Sequence, residues 1–156
     1  ANAAGSLLVK APAGTAPGDL FAGARTFTGS TVRAGTFGVF YPGLTLGESS
    51  NGTAWVHGLQ QNGAMRSNLA FVNFGDAGPL TLRVTFFGEA GQALADPEEW
   101  TLGPGEWRQL GQPLGSRGAA AGSARLERVS GSSRFLAYGV LNDAATSDGS
   151  YLPMAR

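Results

Sequence analysis

The 156-residue chain contains no cysteine, one histidine, His57, and one lysine, Lys10. The missing thiols exclude a disulfide framework, thiolate metal sites and cysteine nucleophiles. They leave secretion open, because a chain of this length buries roughly 70% of its unfolded surface and needs no covalent staple. One histidine without cysteine is too small a donor set for a catalytic zinc ion. Charge is scarce as well: Asp, Glu, Lys and Arg fill 14% of positions, against about 25% in an average domain. Eleven basic residues balance eleven acidic ones, so no positive excess marks a nucleic-acid or anionic-membrane surface. No apolar run approaches the ~20 residues that insert across a bilayer. Residues 1–5 have neither the basic start nor the apolar core of a signal peptide. They read as the start of a mature secreted chain or the edge of a fragment.

Glycine is what the chain has in quantity, at 25 positions. With serine and threonine it separates short apolar runs, as in an extracellular β-protein. The ten arginines that stand against Lys10 fit a GC-rich genome. The strongest strand signals lie mid-chain. Residues 65–74 are apolar on both faces over their second half, as in a strand buried on two sides. Residues 80–87 alternate, with Leu80, Leu82, Val84 and Phe86 on one side and Thr81, Arg83 and Thr85 on the other. That is the period of a strand with one wet face. Gly75, Gly78 and Pro79 form a turn cluster between them, and the two segments are expected to pair as a β-hairpin.

Further strands are expected over residues 6–10, 20–28, 36–41, 53–60, 92–95, 99–102, 106–110, 123–129, 134–142 and 150–154. Pro17-Gly18 and residues 29–35 read as loops. Segments 99–102 and 106–110 flank Gly103-Pro104-Gly105 as a second hairpin-like unit. No 3.6-residue pattern extends beyond two turns. About eleven short strands at regular spacing predict an all-β fold, an antiparallel β-sandwich in a single domain over residues 1–156.

The chain also repeats itself. Gly5-Ser6-Leu7-Leu8-Val9 matches Gly122-Ser123-Ala124-Arg125-Leu126. Leu20-Phe21-Ala22-Gly23-Ala24 matches Phe135-Leu136-Ala137-Tyr138-Gly139, and Phe40-Tyr41-Pro42 matches Tyr151-Leu152-Pro153. Units at about 5–43 and 122–154 thus flank a central region, 59–110, that has no internal copy.

Several strings, among them Gln61-Asn62-Gly63-Ala64-Met65-Arg66-Ser67-Asn68-Leu69, Leu102-Gly103-Pro104-Gly105-Glu106-Trp107, Ala24-Arg25-Thr26-Phe27 and Ser150-Tyr151-Leu152-Pro153, carry a resemblance. The chain resembles repeated modules of large secreted or surface proteins of soil and aquatic bacteria. The resemblance implies a β-sandwich module, usually in tandem, without an established activity. It also implies that a further copy of the Arg-Ser-Asn-Leu hairpin precedes residue 1, so that the chain is a fragment or is completed by a neighbour.

Candidate chemistry is thin. No Gly-x-Ser-x-Gly elbow accompanies His57, which sits in a strand-like segment. Glu98, Glu99 and Glu106 are the nearest thing to a carboxylate set, but neighbours on a strand face opposite ways, so Glu98 and Glu99 do not form a glycosidase pair. No enzyme activity is expected. Asn142, Asp143 and Asp148, with Thr146 and Ser147, gather hard oxygen donors in one loop, a candidate for weak calcium binding. The same residue types are the usual turn formers, and the matching loop at Thr28-Gly29-Ser30-Thr31 has no carboxylate. No other cofactor is expected.

Trp55, Trp100 and Tyr138 are candidate rings for stacking on a sugar, with Arg66 a candidate clamp for a carboxylate. Large aromatics in β-proteins mostly fill cores and edges, and Trp107 sits where a core anchor belongs. Two or more tryptophans exposed along one face would favour sugar binding, and their burial a structural role. The sequence therefore leads to a non-catalytic, secreted or cell-surface module, structural or adhesive. Its expected partners are other copies or neighbouring domains, joined through the sheet edge that the missing half leaves open. A carbohydrate-binding module for polysaccharide is the alternative.

Overall fold

The computed structural model describes residues 4–16, 18–30 and 34–156; Pro17 and part of the expected 29–35 loop lie outside them. Among the described residues the chain forms ten strands: β1 (Gly23–Gly29), β2 (Thr36–Pro42), β3 (Thr53–Gln60), β4 (Met65–Asn73), β5 (Leu80–Gly88), β6 (Glu98–Leu102), β7 (Trp107–Gly111), β8 (Ala121–Ser130), β9 (Phe135–Asp143) and β10 (Gly149–Ala155). Two single 3-10 turns, Leu46–Glu48 and Gly115–Arg117, are the only helical pieces among those residues. The fold is all-β.

Eight strands share one antiparallel sheet in the order β6-β5-β8-β3-β10-β9-β4-β7. The sheet turns back on itself at β10, which changes partner along its length. Residues 149–153 pair with β9, whereas Met154 and Ala155 pair with β3. The two halves enclose a single interior to which both contribute, including Val56, Leu82, Val84 and Leu126 from one and Leu69, Phe71, Phe135 and Ala137 from the other. The ends of the sheet come back together. Phe71 on β4 meets Trp100 on β6 with ring centroids 6.3 Å apart, so the sheet is a nearly closed, barrel-like layer.

The turns expected from sequence are present, but the pairing across them differs. β4 and β5 are not a hairpin: β4 lies between β9 and β7, and β5 between β8 and β6. Residues 75–79 carry the chain from one half of the sheet to the other. Residues 103–106 do the same, so β6 and β7 do not pair either. Each strand thereby turns its apolar face inward across a shared interior. The two-sided burial expected of β4 is present, with Leu69 to Asn73 all buried.

Two expected strands are missing. Residues 6–10 have no strand structure, and residues 92–95 supply only the isolated bridge Ala93↔Phe87. The first has a physical reason. Its sequence counterpart lies in β8, which is held on both edges by β5 and β3, and residues 6–10 have no such neighbours.

β1 and β2 form a separate two-stranded hairpin. In its register Ala24 faces Tyr41, Gly23 faces Pro42 and Arg25 faces Phe40. In the β9–β10 register Gly139 faces Leu152, Tyr138 faces Pro153 and Val140 faces Tyr151. The first two of these are pairs the sequence repeat equates and the third continues them by one residue, so the two hairpins share one register. Val39 of β2 is buried, and Gly149 leaves room for it: a methyl group at Gly149 would sit 2.0 Å from Val39 Cγ2. The hairpin thus lies on the outer face of β9 and β10.

Candidate functional site

Side chains directly opposite on paired strands share a face, which sorts the candidate residues. Val72 and Ala70 of β4 point away from the interior that Leu69 and Phe71 fill. Trp107 opposes Val72, Tyr138 opposes Ala70, and Tyr151 opposes Val140. These residues form an outer aromatic surface beneath the β1–β2 hairpin. Tyr41 of β2 meets Tyr138 edge-on at 5.6 Å and Tyr151 at 6.2 Å, and Tyr138 and Tyr151 stack at 5.6 Å. Trp107 Nε1 donates to Tyr138 Oη at 3.2 Å. Trp107 is therefore half-buried on this outer surface and is not the core anchor expected of it.

Burial and this crowding favour the neutral forms of Tyr138 and Tyr151. Tyr138 is raised by desolvation, which outweighs the opposing hydrogen bond from Trp107. Tyr151 is pushed up to about 12 by burial first and by the neighbouring Tyr138 and Glu48 second. Its hydroxyl is buried without a hydrogen-bond partner among the described residues. A folded-state value raised from the ordinary ~10 means that the associated stability is complete below about pH 10. It is lost as the pH climbs through about 12. Tyr151→Phe is expected to keep or slightly raise the melting temperature at pH 7 and to flatten its fall between pH 10 and 12. An unchanged alkaline fall in melting scans would contradict this assignment.

Beside the tyrosines a cleft of about 220 Å³ runs between the hairpin and the outer face of β4, β7 and β9. Phe27, Phe37 and Tyr41 line it on one side, and the amides of Asn68, Gln109 and Asn142 on the other. Asn68 and Gln109 were not singled out from sequence. The available signal was the alternation of polar groups on a strand otherwise apolar on both faces.

The expected site residues are not brought to one place. Trp55 lies on the opposite outer surface, stacked on His57 at 5.6 Å and against Phe87 at 5.2 Å, with the Arg125 guanidinium 5.9 Å from its ring. Trp100 packs on the interior. Each of the three tryptophans is half-buried, and each faces a different region. Arg66 sits at the end of β4 nearest the 143–148 loop, its Nη2 3.5 Å from Ser147 Oγ. Tyr138 is the one member of the set within the aromatic surface.

In that loop, Asp143 Oδ1 accepts from the Ala145 and Thr146 amides and the Thr146 hydroxyl. These bonds, the Thr146 pair foremost, hold its carboxyl below the usual carboxylate range. Asp148 Oδ1 accepts from Gly38 N–H at 2.9 Å, joining the loop to β2. Asn142 opposes Arg66 and Gly149 in the ladder. Among the described residues no three His, Cys, Asp or Glu side chains are grouped to hold a metal ion.

The three glutamates have different partners. Glu98 pairs with Arg117, Glu99 with Arg83 at 2.8 Å, and Glu106 with Arg108 at 2.9 Å. Glu98 and Glu99 face opposite sides of β6, as their adjacency requires. No family model, curated protein or solved structure matches this chain.

Proposed function

We propose that the chain is a non-catalytic structural or adhesive module of a secreted or cell-surface protein, a β-sandwich built of two packed half-sheets sharing β10. It joins further modules of its own kind through residues 5–43. One observation carries the proposal. Of the nine large apolar side chains exposed among the described residues, seven are Leu7, Leu8, Val9, Leu20, Phe21, Phe27 and Phe40. Apolar surface concentrated in one contiguous segment marks an interaction site. Outside that segment only Leu46 and Val129 are exposed in this way among the described residues.

Sedimentation velocity of the full chain over a wide concentration range tests it. Association is expected at high concentration, weakened by Leu8→Ser with Phe21→Ser. A strictly monomeric chain would contradict it. The 142–148 loop acts as a turn in this proposal, and a heat of calcium binding in calorimetry would make it a metal loop instead.

The second reading, a carbohydrate-binding module, draws support from the cleft, where rings and amides adjoin as sugar recognition requires. Retention on insoluble polysaccharide, abolished by Gln109→Ala, would favour it over the first.

A further inference from the structure

The N-terminal unit exposes what its copy buries. Phe135 is 0% exposed and Leu136 6%, whereas their counterparts Leu20 and Phe21 are 49% and 83% exposed. The difference lies in the neighbours. β9 is flanked by β4, which pairs along the whole strand from Met65↔Asp143 to Asn73↔Phe135. Among the described residues, no strand pairs with the corresponding edge of β1.

The free edge has the correct hydrogen-bonding phase. Along an antiparallel strand, N–H and C=O of alternate residues point to one side and then the other. Ala22 O accepts from Gly43 N, and Ser30 N donates to Gly35 O, so even-numbered residues of β1 face β2. The N–H and C=O of Gly23, Arg25 and Phe27 therefore point outward. On β9, Asp143 N donates to Asp148 O on the β10 side, and Arg134 O accepts from Phe74 N on the β4 side. Tyr138, Val140 and Asn142 thus face β4. By register they are the counterparts of Gly23, Arg25 and Phe27, so the hydrogen-bonding phase of the edge repeats.

We infer that the edge of β1 is a docking site for one occupant: a second copy of the β4-type strand, Met65 to Asn73, presented by another module of this kind. The inference rests on the module reading above and adds to it a contact separate from the self-association of the full chain. By the β4–β9 ladder, Arg66 of the incoming strand opposes Phe27, Asn68 opposes Arg25, Leu69 opposes Ala24, Ala70 opposes Gly23, and Val72 opposes Phe21. Main-chain bonds supply the attachment, and the alternate side chains supply the register, as in other strand additions. In a complete copy β9 already holds this strand, with Phe135, Leu136 and Tyr138 where β1 offers Leu20, Phe21 and Gly23. The partner is therefore a module whose β4-type strand lacks a β9 of its own, not a folded duplicate of this chain.

The test uses the full chain and a fluorescein-labelled synthetic peptide of the 64–74 sequence. Saturable binding by anisotropy is expected. Arg25→Pro removes one outward amide while leaving the main-chain bonds to β2 in place, since proline is tolerated on an edge. The guanidinium bonds to Thr36 O and Oγ1 are lost equally in Arg25→Ala, which serves as the control. The proline variant is expected to weaken peptide binding at least tenfold, whereas Arg25→Ala is expected to change it less than threefold, both with unchanged melting temperature. The absence of native cysteine allows the register to be read covalently. Ala24→Cys is expected to form a disulfide with a peptide carrying Leu69→Cys and not with one carrying Ala70→Cys.

Equal binding by the proline variant, or cross-linking at both peptide positions, would overturn the inference. So would absence of peptide binding. If the chain then still self-associates in sedimentation, the module reading stands and only the proposed occupant fails.

Discussion

Phe71→Ala is expected to lower the stability of the fold by about 3–5 kcal/mol, the range for emptying a large aromatic site in a closed interior. Phe71 is completely buried on β4, the strand that lies between β9 and β7. Its ring faces Trp100 on β6, which belongs to the other half of the sheet. The residue thus fills the interior at the place where the two ends of the sheet approach each other. No hydrogen bond there replaces the lost packing, and the surrounding Leu69, Leu82, Leu102 and Phe135 are fixed on strands. Collapse around the cavity is therefore limited. At roughly 2–4 °C per kcal/mol for a chain of this size, the melting temperature falls by about 10 °C. A loss under about 1 kcal/mol in urea titration would mean that the halves do not share this interior.

Asn73→Ala is expected to be the next most damaging change, at about 2 kcal/mol, for the loss of two hydrogen bonds from a buried side chain at about 1 kcal/mol each. Asn73 is buried at the end of β4, and its Nδ2 donates to Gly78 O at 3.0 Å and Leu102 O at 3.2 Å. Its backbone adds N–H to Glu106 O and accepts from Gly105 N. One residue thereby ties together the two turns that carry the chain between halves. Gly78 O keeps a second donor in Ser133 Oγ, and Leu102 remains paired with Leu80 in the β5–β6 ladder, so the loss in the variant is that of the two Nδ2 bonds themselves. Urea titration should show the loss, and amide exchange should quicken in residues 75–79 and 103–106 before it does elsewhere. A change confined to one turn would show that Asn73 does not couple them.

Much of the fold was legible because alternation is a local property. The β3 strand was expected at residues 53–60 and occupies Thr53–Gln60. The alternating face of β5 is buried at Leu80, Leu82, Val84 and Phe86. Hydrogen-bond partners were not legible in the same way. A turn such as 75–79 reverses the chain equally well whether its flanking strands pair edge to edge or face each other across an interior. Only the total apolar surface to be enclosed decides between the two, so β4–β5 and β6–β7 were assigned to hairpins they do not form. The tryptophans illustrate the same limit. Alternation places Trp100 and Trp107 on one face or the other of a strand, but which face turns inward depends on strands distant in sequence.

The repeat carried long-range information that the individual strands lacked. Equating Ala24 with Gly139 and Tyr41 with Leu152 predicts a pairing between residues 17 positions apart, and β1–β2 has that pairing. The segment 6–10 shows the other side of the same logic. A strand sequence remains unpaired where the strands that would flank it are not supplied, and its Leu7, Leu8 and Val9 stay exposed.

The central claim, that the β1–β2 hairpin repeats the register of β9–β10 but has, among the described residues, no strand on the edge that β4 covers in β9, is tested most directly by amide exchange in the chain alone. Exchange followed by NMR is expected to be slow at Ala24 and Thr26, which face β2, and fast at Gly23, Arg25 and Phe27, which face outward. Their counterparts Tyr138, Val140 and Asn142 are expected to be slow, because β4 covers them. Exchange at Gly23, Arg25 and Phe27 as slow as at those counterparts would mean that the β1 edge is already paired within the chain, and the claim would fail.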